Sequence, residues 1–141
     1  MKGVKRLPAA QPHLPMLIGM VFGKVRSRLA VEAPALRPSQ LRVLEWLPDD
    51  GLTISELAQC VEMTTQGCGQ FVRQLEALGM VEVSVADHDA RARVVRITVA
   101  GREALARAAT VLAACDEAWA AQVGPERWRV FREVLEEIAS D

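Results

Sequence analysis

The chain has 141 residues, of which 50% are hydrophobic, 25% are charged and 4% are aromatic. This length suits one domain with one core, and the composition is typical of a folded protein rich in helix-forming residues rather than of a disordered one. The formal net charge of −1 excludes a uniformly basic nucleic-acid-binding protein, so positive charge can act only as a local patch.

An amphipathic helix is the first predicted element, and residues 1–12 before it are expected to form a flexible arm. Apolar residues recur at helical spacing between His13 and Val31. They are Leu14, Leu17, Ile18, Val21, Phe22, Val25 and Leu29. Met16 and Met20 widen this apolar face. We therefore expect the helix to touch a second subunit or a small-molecule pocket, with packing on the chain's own core as the alternative.

Two short helices are predicted next. Pro38 suits the first turn of one helix, which the sequence PDDG at residues 48–51 ends. Thr53 and Glu56 form a capping box, in which each side chain accepts a hydrogen bond from the other residue's amide, so a second helix starts there and ends near Met63. The buried positions predicted on these helices are Leu41, Leu44, Leu47, Ile54, Leu57, Ala58 and Val61.

A longer helix is predicted between Thr64 and Gly79. Thr64 is a good N-cap, and Gly79 is placed to end the helix as the glycine after its C-cap. Three- and four-residue spacing predicts an inward side made of Cys68, Phe71, Val72, Leu75 and Leu78. The outward side then carries Gln66, Gly69, Gln70 and Arg73, with Thr65 near the N-terminal end.

The hydrophobic period changes to two after this helix, which predicts a two-stranded β-hairpin. The alternating apolar residues are Val81, Val83 and Val85 in one strand and Val95, Ile97 and Val99 in the other. The loop from Ala86 to about Arg93 is polar and is expected to project into solvent. Arg91 and Arg93 lie at its tip, and we expect Asp89 to pair with one of them and hold the tip in shape.

Two long helices are predicted from Gly101 onward, separated by Gly124 and Pro125. Their apolar residues repeat at steps of three and four. These are Leu105, Ala108, Leu112, Cys115 and Trp119, and then Trp128, Phe131, Leu135 and Ile138. This is more apolar surface than one small domain needs. Homodimerisation is its natural use, and an intramolecular helical hairpin is the alternative.

This order of elements predicts a winged helix-turn-helix, which is a mainly α fold with a small β-hairpin wing (α+β). We expect residues 13–141 to form a single domain, with the winged helix-turn-helix at about 36–100 and dimerisation helices at about 13–31 and 101–139. Such a fold lays its second helix on DNA. We call this helix, predicted between Thr64 and Gly79, the reading helix.

The predicted DNA-binding residues are Thr64, Thr65, Gln66, Gly69, Gln70, Arg73, Arg91 and Arg93. Gln66 and Gln70 suit adenine, whereas Arg73 suits guanine or phosphate. The threonines lie where a helix N-terminus attracts phosphate, and an arginine at a wing tip can enter the minor groove. Gly67 and Gly69 each cost about 0.5–1 kcal/mol relative to alanine in a helix, so either the backbone approaches another surface there or the helix is soft.

Five stretches of the chain occur in a characteristic order: RPSQLRVLEWL, LTISELAQCVEM, VRQLEALGMVEV, DHDARARVVRITVAGREAL and PERWRVFREVLEEI. With them the chain resembles the MarR family of bacterial transcriptional regulators from about His13 to Ile138. The resemblance implies a triangular homodimer that binds pseudo-palindromic operator DNA, with a ligand or an oxidant often weakening the binding. It also implies a ligand pocket between the first helix and the DNA-reading region, lined by Met16, Met20 and Trp46.

The chain departs from the family's usual pattern in the reading helix and the wing. Gln70 stands where the family commonly has an arginine, and Ala90 with Arg91 stands where it commonly has two arginines after the wing aspartate. Gly67 and Gly69 replace threonines that are typical of the reading helix. These differences imply weaker DNA binding or an unusual operator.

The function expected from these features is that of a dimeric, ligand- or stress-responsive DNA-binding regulator acting as a repressor. Its expected partners are double-stranded operator DNA, a second copy of the chain and a small-molecule effector. The alternative is a winged-helix protein-interaction module with weak or no DNA binding. An enzyme is not expected, since no nucleophile with a base, carboxylate pair or phosphate-binding loop occurs at a usable spacing.

Three cysteines, Cys60, Cys68 and Cys115, have neither the pattern of a disulfide framework nor that of a zinc site. We expect all three to be buried, with redox sensing by Cys68 as the alternative. His13 and His88 are isolated, so no metal and no cofactor is expected. A reducing, cytoplasmic location fits this cysteine usage, and no run of apolar residues is long enough to predict a membrane span.

Overall fold

Six helices and a small sheet make up residues 11–141, which are the residues that the computed structural model describes. Residues 1–10 of the predicted flexible arm lie outside this range. The helices are α1 (Leu14–Glu32), α2 (Pro38–Leu44), α3 (Ile54–Cys60), α4 (Thr65–Ala77), α5 (Val99–Val123) and α6 (Pro125–Ala139). The strands are β1 (Leu52–Thr53), β2 (Val81–Val85) and β3 (Arg93–Ile97). The predicted fold class is confirmed, and α4 is the reading helix.

The sheet is antiparallel and has three strands in the order β1-β3-β2. The predicted hairpin is present, with Val83 opposite Val95 in its register. The prediction of only two strands was wrong, because the two-residue strand β1 pairs with the other edge of β3 and places Leu52 opposite Val95. A strand this short shows no alternation, so its pairing depends on tertiary structure.

Val99 was predicted in the second strand, and this was wrong. The Thr98 hydroxyl accepts a hydrogen bond from the Gly101 amide at 3.1 Å, so Thr98 is the N-cap of α5 and Val99 begins the helix. Val99 is accordingly 73% exposed. Helix α2 is also shorter than predicted. It ends at Leu44, before the predicted break at residues 48–51, and Leu47, which was predicted to be buried, is only half-buried.

The core lies between α2, α3, α4 and the sheet, and Leu29 of α1 with Ala108 and Val111 of α5 belongs to the same cluster. Its largest fully buried side chains are Val43, Leu44, Leu57, Val61, Cys68, Val72, Leu75, Val81 and Val95. Two predictions of burial were wrong. Leu78 is 48% exposed because it is the C-cap of α4, beyond the last turn that packs on the core. Cys60 is exposed because it lies on the solvent side of the last turn of α3.

The predicted capping box at the start of α3 is confirmed. The Thr53 amide donates to the Glu56 carboxylate at 3.1 Å, and the Glu56 amide donates to the Thr53 hydroxyl at 3.2 Å. These hydrogen bonds lower the pKa of the Glu56 carboxyl, because they favour its charged form.

The reading helix ends as predicted, at a glycine in the left-handed region. Gly79 has φ +74°, its amide donates to the Glu76 carbonyl, and the Met80 amide donates to the Leu75 carbonyl, each at 2.9 Å. This pair of bonds is a Schellman motif. The helix-turn-helix turn uses the same motif, but there the left-handed residue is Glu62, with φ 55°.

A close backbone contact joins the end of the reading helix to α5. The Thr98 hydroxyl donates to the Gly79 carbonyl at 2.6 Å, and the Thr98 amide donates to the Met80 carbonyl at 3.0 Å. A Cβ atom on Gly101 would lie 2.2 Å from the Met80 carbonyl oxygen. Only glycine fits at position 101, because the neighbour that a side chain would meet is backbone.

The terminal helices leave much of their apolar surface exposed. Leu29 is the only buried residue of α1, and α6 has none. α5 and α6 form an intramolecular hairpin, as one of the alternatives predicted, in which the Trp128 indole donates to Asp116 and Arg132 bonds Asp116 at 2.7 Å. The exposed apolar residues of α1 and α6 include Leu14, Ile18, Val21, Phe22, Val31, Val130, Phe131, Val134 and Ile138. Within residues 11–141 no helix is long and apolar enough to span a membrane.

We expect Gly101→Ala to lower the free energy of unfolding by about 1–3 kcal/mol, because the new methyl group overpacks the junction with Met80. Gly69→Ala is the matched control, since a Cβ at that helical glycine would lie 3.8 Å from Arg73 Nη1, an ordinary contact. It should raise the free energy by about 0.5–1 kcal/mol through helix propensity. Urea unfolding at equal protein concentrations measures both. Equal effects of the two substitutions would contradict the close contact.

Candidate nucleic-acid interface

The reading helix, the start of α3 and the wing surround one surface depression of about 310 Å³. Its lining includes Thr65, Gln66, Gly69, Arg73, Arg91 and Arg93 from the predicted set, together with Thr53, Ile54, Ser55 and Ala92. Thr64 and Gln70 lie outside this lining, and both are exposed on the reading helix. The fold thus brings the wing arginines beside the N-terminal half of the reading helix.

Thr64 caps the reading helix. Its hydroxyl accepts a hydrogen bond from the Gly67 amide at 3.0 Å, and a Cβ on Gly67 would lie 3.0 Å from the same oxygen. Glycine at this position therefore leaves room for the cap, which accounts for one of the two unexpected glycines. The exposed amides of the first turn attract an anion, as at other helix N-termini.

Gly69 lies on the predicted outward side of the reading helix and lines the depression, but it is buried. The guanidinium of Arg73, one helical turn later, lies 3.8 Å from the position of a Cβ on Gly69. Arg73 thus lies back along the helix over the glycine and covers it. A Cβ at position 69 would make only an ordinary contact with Arg73, so the position of Arg73 does not require a glycine there.

The wing tip is held by main-chain hydrogen bonds. Asp89 accepts from the Arg91 amide at 2.9 Å, and the Arg93 guanidinium donates to the Ala90 carbonyl at 3.1 Å. The predicted side-chain pair between Asp89 and a wing arginine was wrong, because the short carboxylate closes a local turn onto its own backbone. Within residues 11–141 none of Arg73, Arg91 and Arg93 forms an ion pair, so their charge is not neutralised there.

Thr53 and Ser55 were not predicted as part of the interface. The capping box locates the start of α3 in the sequence, but it does not place this start beside the wing. That placement comes from β1, which pairs with β3 and so carries Thr53 to the base of the hairpin. The strands are also linked on their exposed face, where Arg96 donates to the Ser84 hydroxyl at 3.0 Å.

A second cavity, of about 670 Å³, lies between α1, α2 and α5. It is lined by Phe22, Val25, Arg26, Leu29, Arg37, Pro38, Ser39, Leu41, Arg42, Glu45 and Leu112. Met16, Met20 and Trp46, which the resemblance implies as the lining of a ligand pocket, do not line this cavity. It opens against the C-terminal half of α1, whereas Met16 and Met20 lie nearer its start and Trp46 is 52% exposed after α2.

The cysteines differ in their surroundings. Cys68 is fully buried on the inner side of the reading helix, and Cys115 is buried on α5, as predicted. Burial raises the pKa of the Cys68 thiol. The folded state thus holds this proton more tightly than the unfolded state, so above the ordinary pKa of a thiol its contribution to stability falls as the pH rises. Within the described part of the chain no three His, Cys, Asp or Glu side chains group as metal ligands.

Comparison with known proteins agrees with this geometry. Residues 36–92 match the sequence model of the MarR family. The winged helix-turn-helix of this chain is thus of the MarR-family type. The chain has the fold of a family of transcriptional regulators. No curated protein is similar enough in sequence to match the chain.

Solved MarR-family structures match nearly the whole chain. The crystal structure of MarR has a TM-score of 0.81 at 18% identity and covers 96% of this chain and 93% of its own. The transcriptional repressor CouR, bound to a 23-mer DNA duplex, has a TM-score of 0.78 at 23% identity. The match covers 95% of this chain and 99% of the CouR chain. A MarR family protein from Mycobacterium tuberculosis, in complex with salicylic acid, has a TM-score of 0.67 at 25% identity. The match covers 93% of this chain and 99% of the M. tuberculosis chain.

We expect N-ethylmaleimide to modify Cys60 at least about tenfold faster than Cys68 in the folded protein, because a buried thiol with a raised pKa offers little accessible thiolate. Cys115, also buried, should react slowly. Mass spectrometry of peptides after timed quenching measures the rates, and labelling in urea, where all three should react alike, is the control. Equal rates for Cys60 and Cys68 in the folded protein would contradict the buried inner face.

Proposed function

We propose that the chain is a homodimeric transcriptional repressor that binds operator DNA and releases it when a small molecule binds. The observation that carries this proposal is the single depression in which the reading helix, the start of α3 and the wing present Gln66, Arg73, Arg91 and Arg93 together. Residues 13–141 act as one domain, with the winged helix-turn-helix at about 36–100.

On the reading helix, Gln66 and Gln70 contact base edges in the major groove. Both side chains are exposed, and glutamine pairs with adenine through its amide. Arg73 reaches guanine or a phosphate from the next turn. Thr64 and Thr65 bind phosphate at the helix N-terminus, where Thr64 can still donate its hydroxyl proton while it caps the helix.

On the wing, Arg91 and Arg93 enter the minor groove. The main-chain bonds of Asp89 and Ala90 fix the tip, so little conformational freedom is lost when the arginines bind. The reading helix carries only one arginine, Arg73, whereas the wing carries two. The wing therefore supplies a large share of the affinity for DNA. CouR, of the same fold, is bound to DNA in its solved structure.

The terminal helices form the dimer interface. The exposed apolar faces of α1 and α6 are larger than isolated surface residues would produce, and contiguous exposed apolar surface marks an interaction site. A second copy buries both faces and doubles the DNA contacts on a two-fold symmetric operator. α1 (Leu14–Glu32) and α5 with α6 (Val99–Ala139) are therefore the dimerisation helices.

The effector binds in the cavity between α1, α2 and α5. Its walls combine apolar side chains such as Phe22, Val25 and Leu29 with the cationic side chains of Arg26 and Arg42. An apolar molecule with one anionic group fits this chemistry, since such a pocket gains from burial and from one charge-assisted hydrogen bond. The M. tuberculosis relative is in complex with salicylic acid, which belongs to this chemical class.

We expect Arg91→Ala and Arg93→Ala each to weaken DNA binding about tenfold at every sequence and to lower the salt slope by about 1, because each removes a backbone or groove contact. Gln70→Ala should instead change the preference at one base pair by about 1–3 kcal/mol. Fluorescence anisotropy with a labelled fragment of the promoter upstream of its own gene measures both effects.

Arg129→Ala is the matched control, because Arg129 is an exposed arginine on α6 that pairs with Glu126 and Glu133. It should leave DNA affinity unchanged. If none of the three substitutions in the wing and reading helix alters binding, their assignment is wrong. Absence of DNA binding by the unaltered protein at low salt would favour the protein-interaction module.

The double substitution Ile18→Asp with Ile138→Asp should produce a monomer, because it places a carboxylate in each of the exposed apolar faces. DNA affinity should fall at least about 100-fold, since the two half-sites no longer bind together. Light scattering after gel filtration measures the mass. Val85→Asp, at a valine that is 52% exposed on β2 and lies outside the terminal helices, is the control and should remain dimeric. A dimeric double variant would refute this interface.

A further inference from the structure

Helix α2 lies between the effector cavity and the DNA-reading half of the chain. Pro38, Ser39, Leu41, Arg42 and Glu45 of this segment line the cavity. Of these residues, Arg42 also contacts a residue outside the cavity lining. Its Nη2 donates a hydrogen bond to the Val61 carbonyl, at 2.7 Å. Arg42 thus lines the cavity and bonds to the end of α3.

The Val61 carbonyl is a sensitive point of the helix-turn-helix. Val61 is the C-cap of α3, and the next residue, Glu62, has a φ of 55°, a conformation that is costly for a side chain with a Cβ. The reading helix begins three residues later, at Thr65. Carbonyls in the last turn of a helix have no partner within the helix, so Arg42 supplies one where the turn is strained.

A second contact links α2 to the reading helix itself. Gln40 is 7% exposed, and its Nε2 donates to Gln74 Oε1 on the reading helix at 3.2 Å. Its Oε1 accepts from the Arg37 amide at 2.9 Å, which orients the amide group. α2 is thus attached to the turn before the reading helix through Arg42 and to the helix itself through Gln40.

An anion in the cavity competes with the Val61 carbonyl for Arg42. A carboxylate accepts a charge-assisted hydrogen bond that is roughly twice as strong as one between neutral groups, and it matches the two-pronged geometry of a guanidinium. Arg26 differs from Arg42 in this respect. Its guanidinium lies 5.6 Å from the centre of the Phe22 ring on its own helix, within α1.

We propose that Arg42 is the positioning residue through which the cavity controls the reading helix. An anionic effector draws the guanidinium away from the Val61 carbonyl, the strained turn at Glu62 loosens, and the reading helix loses its fixed orientation for DNA. Neutral molecules of the same shape leave the bond to Val61 in place. This inference rests on the proposed function for its effect on DNA, but its effect on the turn can be measured without DNA.

The first measurement is the ratio of DNA dissociation constants with and without saturating salicylate, with neutral salicylamide as the matched ligand control. The unaltered protein should show at least about a fivefold ratio with salicylate, a usual size of allosteric coupling, and none with salicylamide. Arg42→Ala should reduce the ratio to below about twofold, and Arg42→Lys, which can still donate to the Val61 carbonyl, should restore part of it.

Arg26→Ala separates transmission from binding. This variant also removes a cavity arginine, so it should bind salicylate more weakly, but at saturation its ratio should equal that of the unaltered protein. A full ratio in Arg42→Ala at saturating salicylate would overturn the proposal. The same is true of equal losses in the Arg42 and Arg26 variants.

The second measurement is amide hydrogen exchange at residues 61–66 without DNA. Salicylate should speed exchange there in the unaltered protein, and Arg42→Ala should show the faster exchange already without ligand. No change with saturating salicylate would overturn the Arg42 link even if DNA binding is normal. Conversely, the expected exchange pattern in a protein that does not bind DNA would reject the proposed function and support the link.

Discussion

The orientation of the reading helix depends on one tight backbone contact. Met80 follows directly after the glycine that ends this helix. Its carbonyl oxygen lies only 2.2 Å from the position that a Cβ on Gly101 would occupy. Thr98 bonds to the Gly79 carbonyl and caps α5 with the same hydroxyl group. The end of the reading helix, the start of β2 and the start of the long helix α5 thus meet at fixed angles. The surface that we propose binds DNA and a helix that we propose forms the dimer are joined there without a flexible linker.

The positive charge of the surface that we propose binds DNA is local. The chain as a whole has a net charge of −1, yet Arg73, Arg91 and Arg93 surround one depression. Arg73 lies along the reading helix over Gly69, and local turns hold the wing tip. Gly67 leaves room for the Thr64 cap, at a small cost in helix propensity.

Much of the fold could be predicted from the sequence, because its signals are local. The capping box at Thr53, the glycine stop at Gly79 and the break at Gly124 each involve residues within one helical turn, and all three hold in the structure. One prediction that failed depends on a distant partner, since the pairing of β1 with β3 follows from packing that periodicity does not encode. Two others are local: Gly69 is buried beside Arg73, one turn later, and Leu78 is exposed as the C-cap of α4.

The sequence by itself determined the order of the six helices and of the two hairpin strands, the caps of α3 and α4, and the inward side of the reading helix from Cys68 to Leu75, because hydrophobic spacing and caps act over a few residues. Only the tertiary structure decided which of these elements meet. It placed the wing arginines beside Thr65 and Gln66, located the cavity against Phe22 and Arg42 rather than Met16 and Trp46, and brought Arg42 to the Val61 carbonyl. Contacts between residues far apart in the chain depend on how the helices pack, which no local pattern specifies.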